Sequence, residues 1–184
     1  MAEEKGSIFL DWLKAAALGI ILFFLVNTFL FSSYEVEGKS MEPTLEDGDR
    51  LVVNKIGYQI SDMNRFDVIV FHGGNEEDYV KRVIGLPGDQ IRYENDQLFI
   101  NGKKYDEPYL NQYKNPLIGQ KLTGDFVLSD LTGVEIVPEN RLFVMGDNRL
   151  GSLDSRHFGF VSIKDVVGKV EVRYWPLEKF NTKF

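Results

Sequence analysis

The chain has 184 residues, no cysteine, two histidines and a formal net charge of −7. This length suits one main domain with its own core, and the acidic charge disfavours a nucleic-acid partner because phosphate backbones would repel it. The lack of cysteine excludes disulfides and thiolate chemistry, two histidines are too few to suggest a zinc site, and nothing in the sequence indicates a cofactor.

Residues 15–31 read AAALGIILFFLVNTFLF and carry no charge. Together with residues 8–13 they predict a helix able to cross ~30 Å of hydrocarbon. A buried core helix would show a polar face, and a cleaved signal peptide would have small residues directly after the apolar run, where this chain has Phe-Ser-Ser-Tyr. We therefore predict that residues 1–33 are a tail and a single-pass anchor in the cell membrane. The size of the body that follows favours an extracytoplasmic location for that body.

Residues 34–184 change to short apolar runs separated by Gly, Asp, Asn and Pro, and long amphipathic helical patterns are absent. This pattern predicts a mainly β body, and the dipeptides Asn95-Asp96 and Asn101-Gly102 are typical of antiparallel hairpins. Residues 103–138 are interrupted repeatedly by Tyr, Asn, Pro and Gly, and they predict a small insertion or subdomain. The predicted strands cover residues 34–36, 50–55, 66–72, 79–86, 90–94, 97–101, 141–145 and 166–175.

Residues 38–45 read GKSMEPTL, a composition that by itself indicates an ordinary turn. Ser40 in this turn is a candidate nucleophile, provided that a base takes the proton of its hydroxyl. His72 and His157 lie in stretches without a distinctive pairing motif. A lysine is the other candidate base, if burial keeps its amine neutral.

Lys81 lies in DYVKRVIGLPGD, residues 78–89. On a strand it would share one face with Tyr79 and Val83, whose apolar side chains would desolvate its amine. Lowering a lysine pKa from ~10.4 to ~7–8 costs about 4 kcal/mol of charge stabilisation, which burial can supply. The alternative is a strand on which Lys81 and Arg82 both reach solvent.

Residues 145–159 read MGDNRLGSLDSRHFG and are dense in loop-forming and hydrogen-bonding residues. Opposite charges are interleaved there, and Asp154 is expected to form an ion pair with Arg156 or Arg149. The acidic spacing does not match a calcium-binding EF-hand loop. Taken alone, the stretch indicates a salt-bridged loop more than a functional one.

The apolar segment followed by GKSMEPTLEDGDRLVVNK, YVKRVIGLPGD and MGDNRLGSLDSRHFG resembles the type I signal peptidases. These are membrane-bound Ser/Lys proteases that cut signal peptides from exported preproteins, and the short length and single anchor resemble the Gram-positive form. The resemblance implies coiled antiparallel sheets, a preprotein substrate, and membrane lipid and the export translocon as partners. The implied roles are nucleophile for Ser40, general base for Lys81, lysine orientation for Ser152, a supporting ion pair for Asp154 and Arg156, and a supporting carboxylate for Asp147.

The same resemblance implies how the substrate is held. The oxyanion is bound by the backbone N–H of Ser40 and, in some family members, by a hydroxyl two residues earlier, where this chain has Gly38; losing one such donor is worth ~3 kcal/mol. An extended substrate would add as a strand between residues 35–37 and 78–80. Small side chains at its positions −1 and −3 would enter shallow apolar pockets lined by Tyr34, Val36, Met41, Leu51, Tyr79 and Val80.

The sequence leaves two alternative functions open. One is a self-cleaving Ser/Lys protein of the LexA repressor type, against which the apolar anchor, the acidic charge and the lack of an Ala-Gly or Cys-Gly bond before Ser40 all count. The other is an inactive membrane-tethered β-domain that binds apolar segments, against which the presence of both Ser40 and Lys81 counts.

Overall fold

The computed structural model describes residues 12–23, 30–55, 63–74, 77–114 and 121–184. Residues 12–23 form helix α1, whose large apolar side chains are exposed. None of the helices within the described ranges combines the length and the apolar character needed to span a membrane. The predicted anchor, residues 15–31, includes residues 24–29, which lie outside the described residues.

Antiparallel strands dominate the rest of the described chain, which confirms the predicted mainly β body. The helices after α1 are short: α2 (Asn111–Lys114), α3 (Leu128–Thr132), α4 (Ser155–Phe158) and single 3-10 turns. The strands are β1 (Phe31–Glu35), β2 (Arg50–Asn54), β3 (Val68–His72), β4 (Asp78–Gly85), β5 (Ile91–Glu94), β6 (Gln97–Ile100), β7 (Lys103–Tyr105), β8 (Phe126–Val127), β9 (Arg141–Met145), β10 (Val161–Ser162) and β11 (Val166–Trp175).

The strands form two sheets. The larger has the order β1-β2-β11-β3-β4-β9-β10, and the smaller has the order β7-β6-β5-β8. The smaller sheet takes β7 and β8 from the region 103–138, and these two strands pair with β6 and β5, which precede that region. Residues 103–138 are therefore tied by backbone hydrogen bonds to the hairpin before them.

All eight predicted strands are present, two with the predicted boundaries and five with boundaries shifted by one or two residues, and β1 shows the largest change. The prediction began at residue 34, whereas β1 begins at Phe31 and pairs with β2 from Phe31↔Asn54 to Glu35↔Arg50. The two adjacent serines, Ser32 and Ser33, interrupt any alternation of apolar and polar residues, so the sequence gives no local signal for a strand there. The strand forms because it pairs with β2. The strands β7, β8 and β10 were not predicted, because two or three residues are too few to show a period.

Three apolar clusters meet at β4 and fix its orientation. Tyr79 and Val83 pack in the cluster that contains Phe71, Val80 packs in the cluster that contains Val36 and Met41, and Ile84 packs beneath the smaller sheet. The strand pairs with β3 along residues 78–82 but with β9 only from Arg82 to Gly85. The β9-facing edge of residues 78–81 therefore carries no paired strand among the described residues.

Candidate active site

Ser40 lies in a turn whose neighbours are deeply buried. Met41 is 1% exposed and Leu45 is 0% exposed, and both pack on the larger sheet. Burying two such side chains contributes on the order of 1.5–3 kcal/mol each. The turn is closed by the Leu45 N–H, which donates to the Met41 carbonyl at 3.0 Å. The position of Ser40 is thus fixed by core packing as well as by backbone hydrogen bonds.

Asn148 holds the same turn from the opposite side. Its backbone N–H donates to the Ser40 carbonyl at 3.0 Å, and its side-chain amide donates to the Lys39 carbonyl at 3.0 Å. Asn148 was not singled out from the sequence, because an Asn in a Gly- and Asp-rich loop is more often a local turn residue. The loop after β9 and the turn that carries Ser40 are therefore bonded directly to each other.

Lys81 lies on β4 with its amine directed at Ser40. Its Nζ donates to the Ser40 Oγ at 2.8 Å and to the Val80 carbonyl at 2.9 Å, and the residue is only 4% exposed. No carboxylate of the described residues lies within ion-pair distance of this amine. Burial lowers the pKa of Lys81 to about 8, and the more distant charge of Asp154 opposes that shift in part. A large fraction of this amine is neutral near pH 8, and a neutral amine can accept the hydroxyl proton of Ser40.

Arg82 is buried too, so the interpretation in which Lys81 and Arg82 both reach solvent is wrong. The guanidinium of Arg82 binds Asp147 through two hydrogen bonds of 2.9 and 2.6 Å, and both side chains are almost fully buried. The Thr44 hydroxyl donates to the same carboxylate at 2.5 Å. Asp147 therefore links β4 to the turn that carries Ser40.

The ion pair predicted for Asp154 forms with Arg156, at 2.9 Å. Arg149, the alternative partner, pairs instead with Glu107 in the interior. Asp154 also accepts a hydrogen bond of 3.0 Å from the Gly146 N–H. Burial by itself would raise the pKa of the Asp154 carboxyl, but the hydrogen bonds and charge of Arg156 and the Gly146 N–H hold the pKa below its usual value. Asp154 therefore carries a charge at neutral pH.

Ser152 and Gly146 pack against each other beneath Ser40. A Cβ on Gly146 would lie 2.2 Å from the Ser152 Oγ and 2.4 Å from the Ser40 carbonyl oxygen, so only glycine fits there. The Ser152 Oγ is buried and has no hydrogen-bond partner among the described residues, and it does not bond to Lys81.

Gly38 adopts a left-handed backbone conformation, with φ +86°. Open space surrounds the position of its missing Cβ, so glycine is favoured there by the backbone conformation and not by crowding. The Gly38 N–H donates to the Asp47 carboxylate at 2.7 Å. The Ser40 N–H, in contrast, has no acceptor among the described residues and remains available to a bound group.

A cleft of about 680 Å³ opens beside the Ser40–Lys81 pair, between residues 34–37 and residues 77–80. Leu51, which was predicted to line it, does not: it is 0% exposed and lies within the core that contains Val36. Leu153 and Val70 line the cleft and were not predicted, because nothing in the sequence separates them from ordinary loop and core residues. Of the predicted pocket residues, those that line the cleft are Tyr34, Val36, Met41, Tyr79 and Val80.

A curled antiparallel β body in which a serine hydroxyl meets a buried lysine amine has the features of a serine–lysine hydrolase. A model of the signal peptidase family, peptidase S26, matches residues 9–175. The chain therefore belongs to the signal peptidase family.

Individual relatives agree with this membership. The chain is 61% identical over 182 residues to signal peptidase I of Bacillus caldolyticus, which covers 99% of this chain and 98% of the relative. It is 43% identical over 179 residues to signal peptidase IB of Staphylococcus aureus, covering 95% and 94% of the two chains. The crystal structure of a signal peptidase I from Enterococcus faecalis V583 superposes with a TM-score of 0.57 at 42% identity and covers 60% of this chain and 98% of its own.

Proposed function

We propose that Ser40 and Lys81 carry out the reaction of this family in the present chain, the removal of signal peptides from exported preproteins by a serine endopeptidase. The observation that carries the proposal is the 2.8 Å contact between the Lys81 Nζ and the Ser40 Oγ, made by a buried amine without a carboxylate partner among the described residues. A lysine paired with a carboxylate would stay charged and could not accept a proton.

The chemistry follows from that contact. Neutral Lys81 takes the proton of the Ser40 hydroxyl while the Oγ attacks the scissile carbonyl carbon, and the resulting ammonium donates the proton to the departing amine. Lys81, neutral again, then takes a proton from a water molecule that attacks the acyl-enzyme. The second tetrahedral intermediate collapses to release the signal peptide as a free acid, and the proton returns to Ser40.

The oxyanion is proposed to bind the backbone N–H of Ser40, which has no acceptor among the residues described. Gly38 offers no hydroxyl, and its own N–H is held by Asp47. This chain therefore relies on backbone donors and solvent for the charge that develops in the transition state.

Supporting roles are proposed for side chains of the loop that follows β9. Asp154 and Arg156 hold the backbone at Gly146, which contacts the carbonyl of Ser40. Asp147 holds the nucleophile turn through Thr44. Ser152, whose buried Oγ has no hydrogen-bond partner among the described residues, is proposed to orient Lys81 when substrate is bound.

Substrate binding is proposed to occur by strand addition in the cleft between residues 34–37 and 77–80. Side chains at positions −1 and −3 of the signal peptide would point to one face of the added strand, towards Val36, Met41 and Val80. These walls leave shallow apolar space, which favours a small-X-small sequence such as Ala-X-Ala. Leu51 supports this wall from beneath.

The membrane anchor predicted within residues 1–33 is proposed to end before β1, which begins at Phe31 and pairs with β2. The rest of the chain, to residue 184, is proposed to be the extracytoplasmic catalytic domain, with 103–138 as a small subdomain. Exposed apolar side chains over residues 12–23, including Leu18 at 68% and Phe23 at 63% exposure, support this proposal. Ser40 follows Phe31 closely in the chain, so its reach from the anchor is limited to about 30 Å. That distance suits a substrate held in the same membrane, and membrane lipid and the export translocon are the proposed partners.

Cleavage of a purified preprotein by the full chain in detergent tests the proposal. We expect the wild-type chain to cut after a small-X-small triplet, and we expect Ser40→Ala and Lys81→Ala each to lower kcat/KM by roughly 10⁴-fold. Lys164→Met, which changes an exposed lysine, is the matched control and should cut normally. Cleavage that survives in the Lys81 variant would refute the role of this residue.

A further inference from the structure

A second pocket, of about 430 Å³, lies next to the catalytic cleft. Aromatic side chains form much of its wall, and Phe71 contacts both Tyr79 and Phe158, with ring centroids 5.9 and 6.3 Å apart. Phe158 is 40% exposed, and Leu153 at the rim is 60% exposed. Among the described residues nothing covers these apolar side chains, so a ligand can reach them.

The second pocket adjoins the cleft. Tyr79 and Leu153 line both spaces, so these two side chains form the partition between them. The ring of Tyr79 packs directly on Gly73. A Cβ at residue 73 would lie only 2.8 Å from the Tyr79 Cε2 atom, so a larger residue there would displace the ring. A chain bound in the cleft therefore passes directly along the opening of the second pocket.

The alternation of side chains on β4 indicates which part of a substrate would reach that opening. Val80 faces the cluster of Val36 and Met41, whereas Tyr79 faces the opposite side, in the cluster of Phe71. A substrate strand added along the open edge of residues 78–80 continues both faces of the sheet. Because side chains −1 and −3 occupy the Val80 face, side chain −2 must point to the Tyr79 face.

We infer that the second pocket is a subsite for an apolar or aromatic side chain at position −2 of the signal peptide. The inference rests on the proposed function and on strand addition in the cleft. Edge-to-face packing against Phe158 and Tyr79 is the interaction that would favour an aromatic side chain there. The residue between the two small positions is then selected by the enzyme and does not simply face solvent.

Two preprotein substrates that differ only at position −2, with Ala or Phe, test this inference against the full chain in detergent. We expect the wild-type chain to cleave the Phe substrate with roughly tenfold higher kcat/KM, a ratio typical of one well-fitted apolar group. Phe158→Ala should reduce the ratio to near one while cleavage of the Ala substrate stays within about twofold of wild type. Leu153→Ala, at a more exposed position, should lower the ratio in the same direction.

Phe180→Ala is the matched control, because Phe180 is an exposed aromatic residue that lines neither space. It should leave the ratio unchanged. A ratio that is the same in the wild-type, Phe158 and Leu153 proteins, with the Ala substrate still cleaved, would overturn the subsite and leave the proposed function intact. Failure to cleave either substrate would count against the proposed function itself.

Discussion

Lys81 and Arg82 are neighbours on one strand, and both are buried cations, yet their surroundings differ. Arg82 binds the carboxylate of Asp147 through two hydrogen bonds, and its guanidinium lies 4.0 Å from the centre of the Tyr109 ring. Among the described residues Lys81 has only neutral acceptors, the Ser40 hydroxyl and the Val80 carbonyl. One strand thus directs a paired charge to one face and an unpaired amine to the other.

The comparison shows that burial alone does not determine charge. Burial with a bidentate carboxylate keeps a cation charged and makes it a structural link, whereas burial against neutral groups lowers the pKa of an amine and makes it a base. The same strand alternation that separates the two side chains also separates the structural role of Arg82 from the catalytic role proposed for Lys81.

Removal of the Arg82 partner should give the largest change in stability. We expect Asp147→Asn to destabilise the fold by about 3–5 kcal/mol, because the guanidinium of Arg82 would stay buried without a counter-charge. The free energy of unfolding, measured by urea denaturation of the full chain in detergent, checks this value. The kcat/KM of cleavage should fall as well, because Thr44 and the Ser40 turn lose a fixed acceptor.

Glu46→Gln is the control for that experiment. Glu46 forms an exposed ion pair with Lys179 at 2.6 Å, and both side chains are nearly half exposed. Loss of an exposed pair of this kind costs at most about 1 kcal/mol. Equal effects of the two substitutions would show that Asp147 does not compensate a buried charge.

Replacement of Lys81 by Met should have a smaller effect, of opposite sign. The pKa of Lys81 falls from 10.5 in the unfolded chain to about 8 in the fold, so the folded state resists protonation. The resulting penalty is fully present below pH 8, shrinks as pH rises between 8 and 10.5, and vanishes above that range. We expect Lys81→Met to stabilise the fold near pH 7 by up to about 3 kcal/mol, at 1.36 kcal/mol per pKa unit.

Urea denaturation of the wild-type and Lys81→Met chains at about pH 7 and about pH 9.5 measures this difference. The gain should be clearly smaller at the higher pH. Lys164→Met, at an exposed position, should show no such dependence on pH. A Lys81→Met chain that is less stable than wild type at neutral pH would mean that the amine is charged and stabilising in the fold.

Much of the fold could be predicted from the sequence, because the period of apolar residues is a local signal. The strands around Val68–His72 and Asp78–Gly85 follow from apolar runs bounded by turn residues. The pairing of Phe31–Glu35 with Arg50–Asn54 could not be predicted, since it depends on contacts between distant segments. The short strands of the smaller sheet depend on such contacts too.

The site residues that lie in a recognisable sequence motif could be predicted, and the others could not. The contact between Ser40 and Lys81 lies where the resemblance to the signal peptidases implies, and the Asp154–Arg156 pair forms as expected. The bonds from Asn148 to the Ser40 turn and the position of Leu51 in the core depend on how loops and sheets pack. No periodicity or motif in the chain indicates either of them.

The pH dependence of kcat/KM for preprotein cleavage tests most directly whether Lys81 is the neutral base. Since kcat/KM reports groups of the free enzyme, the rate should rise with pH through an apparent pKa of about 8, as the ammonium of Lys81 loses its proton. A rate that still climbs near pH ~10.4, the ordinary value for lysine, would contradict the account.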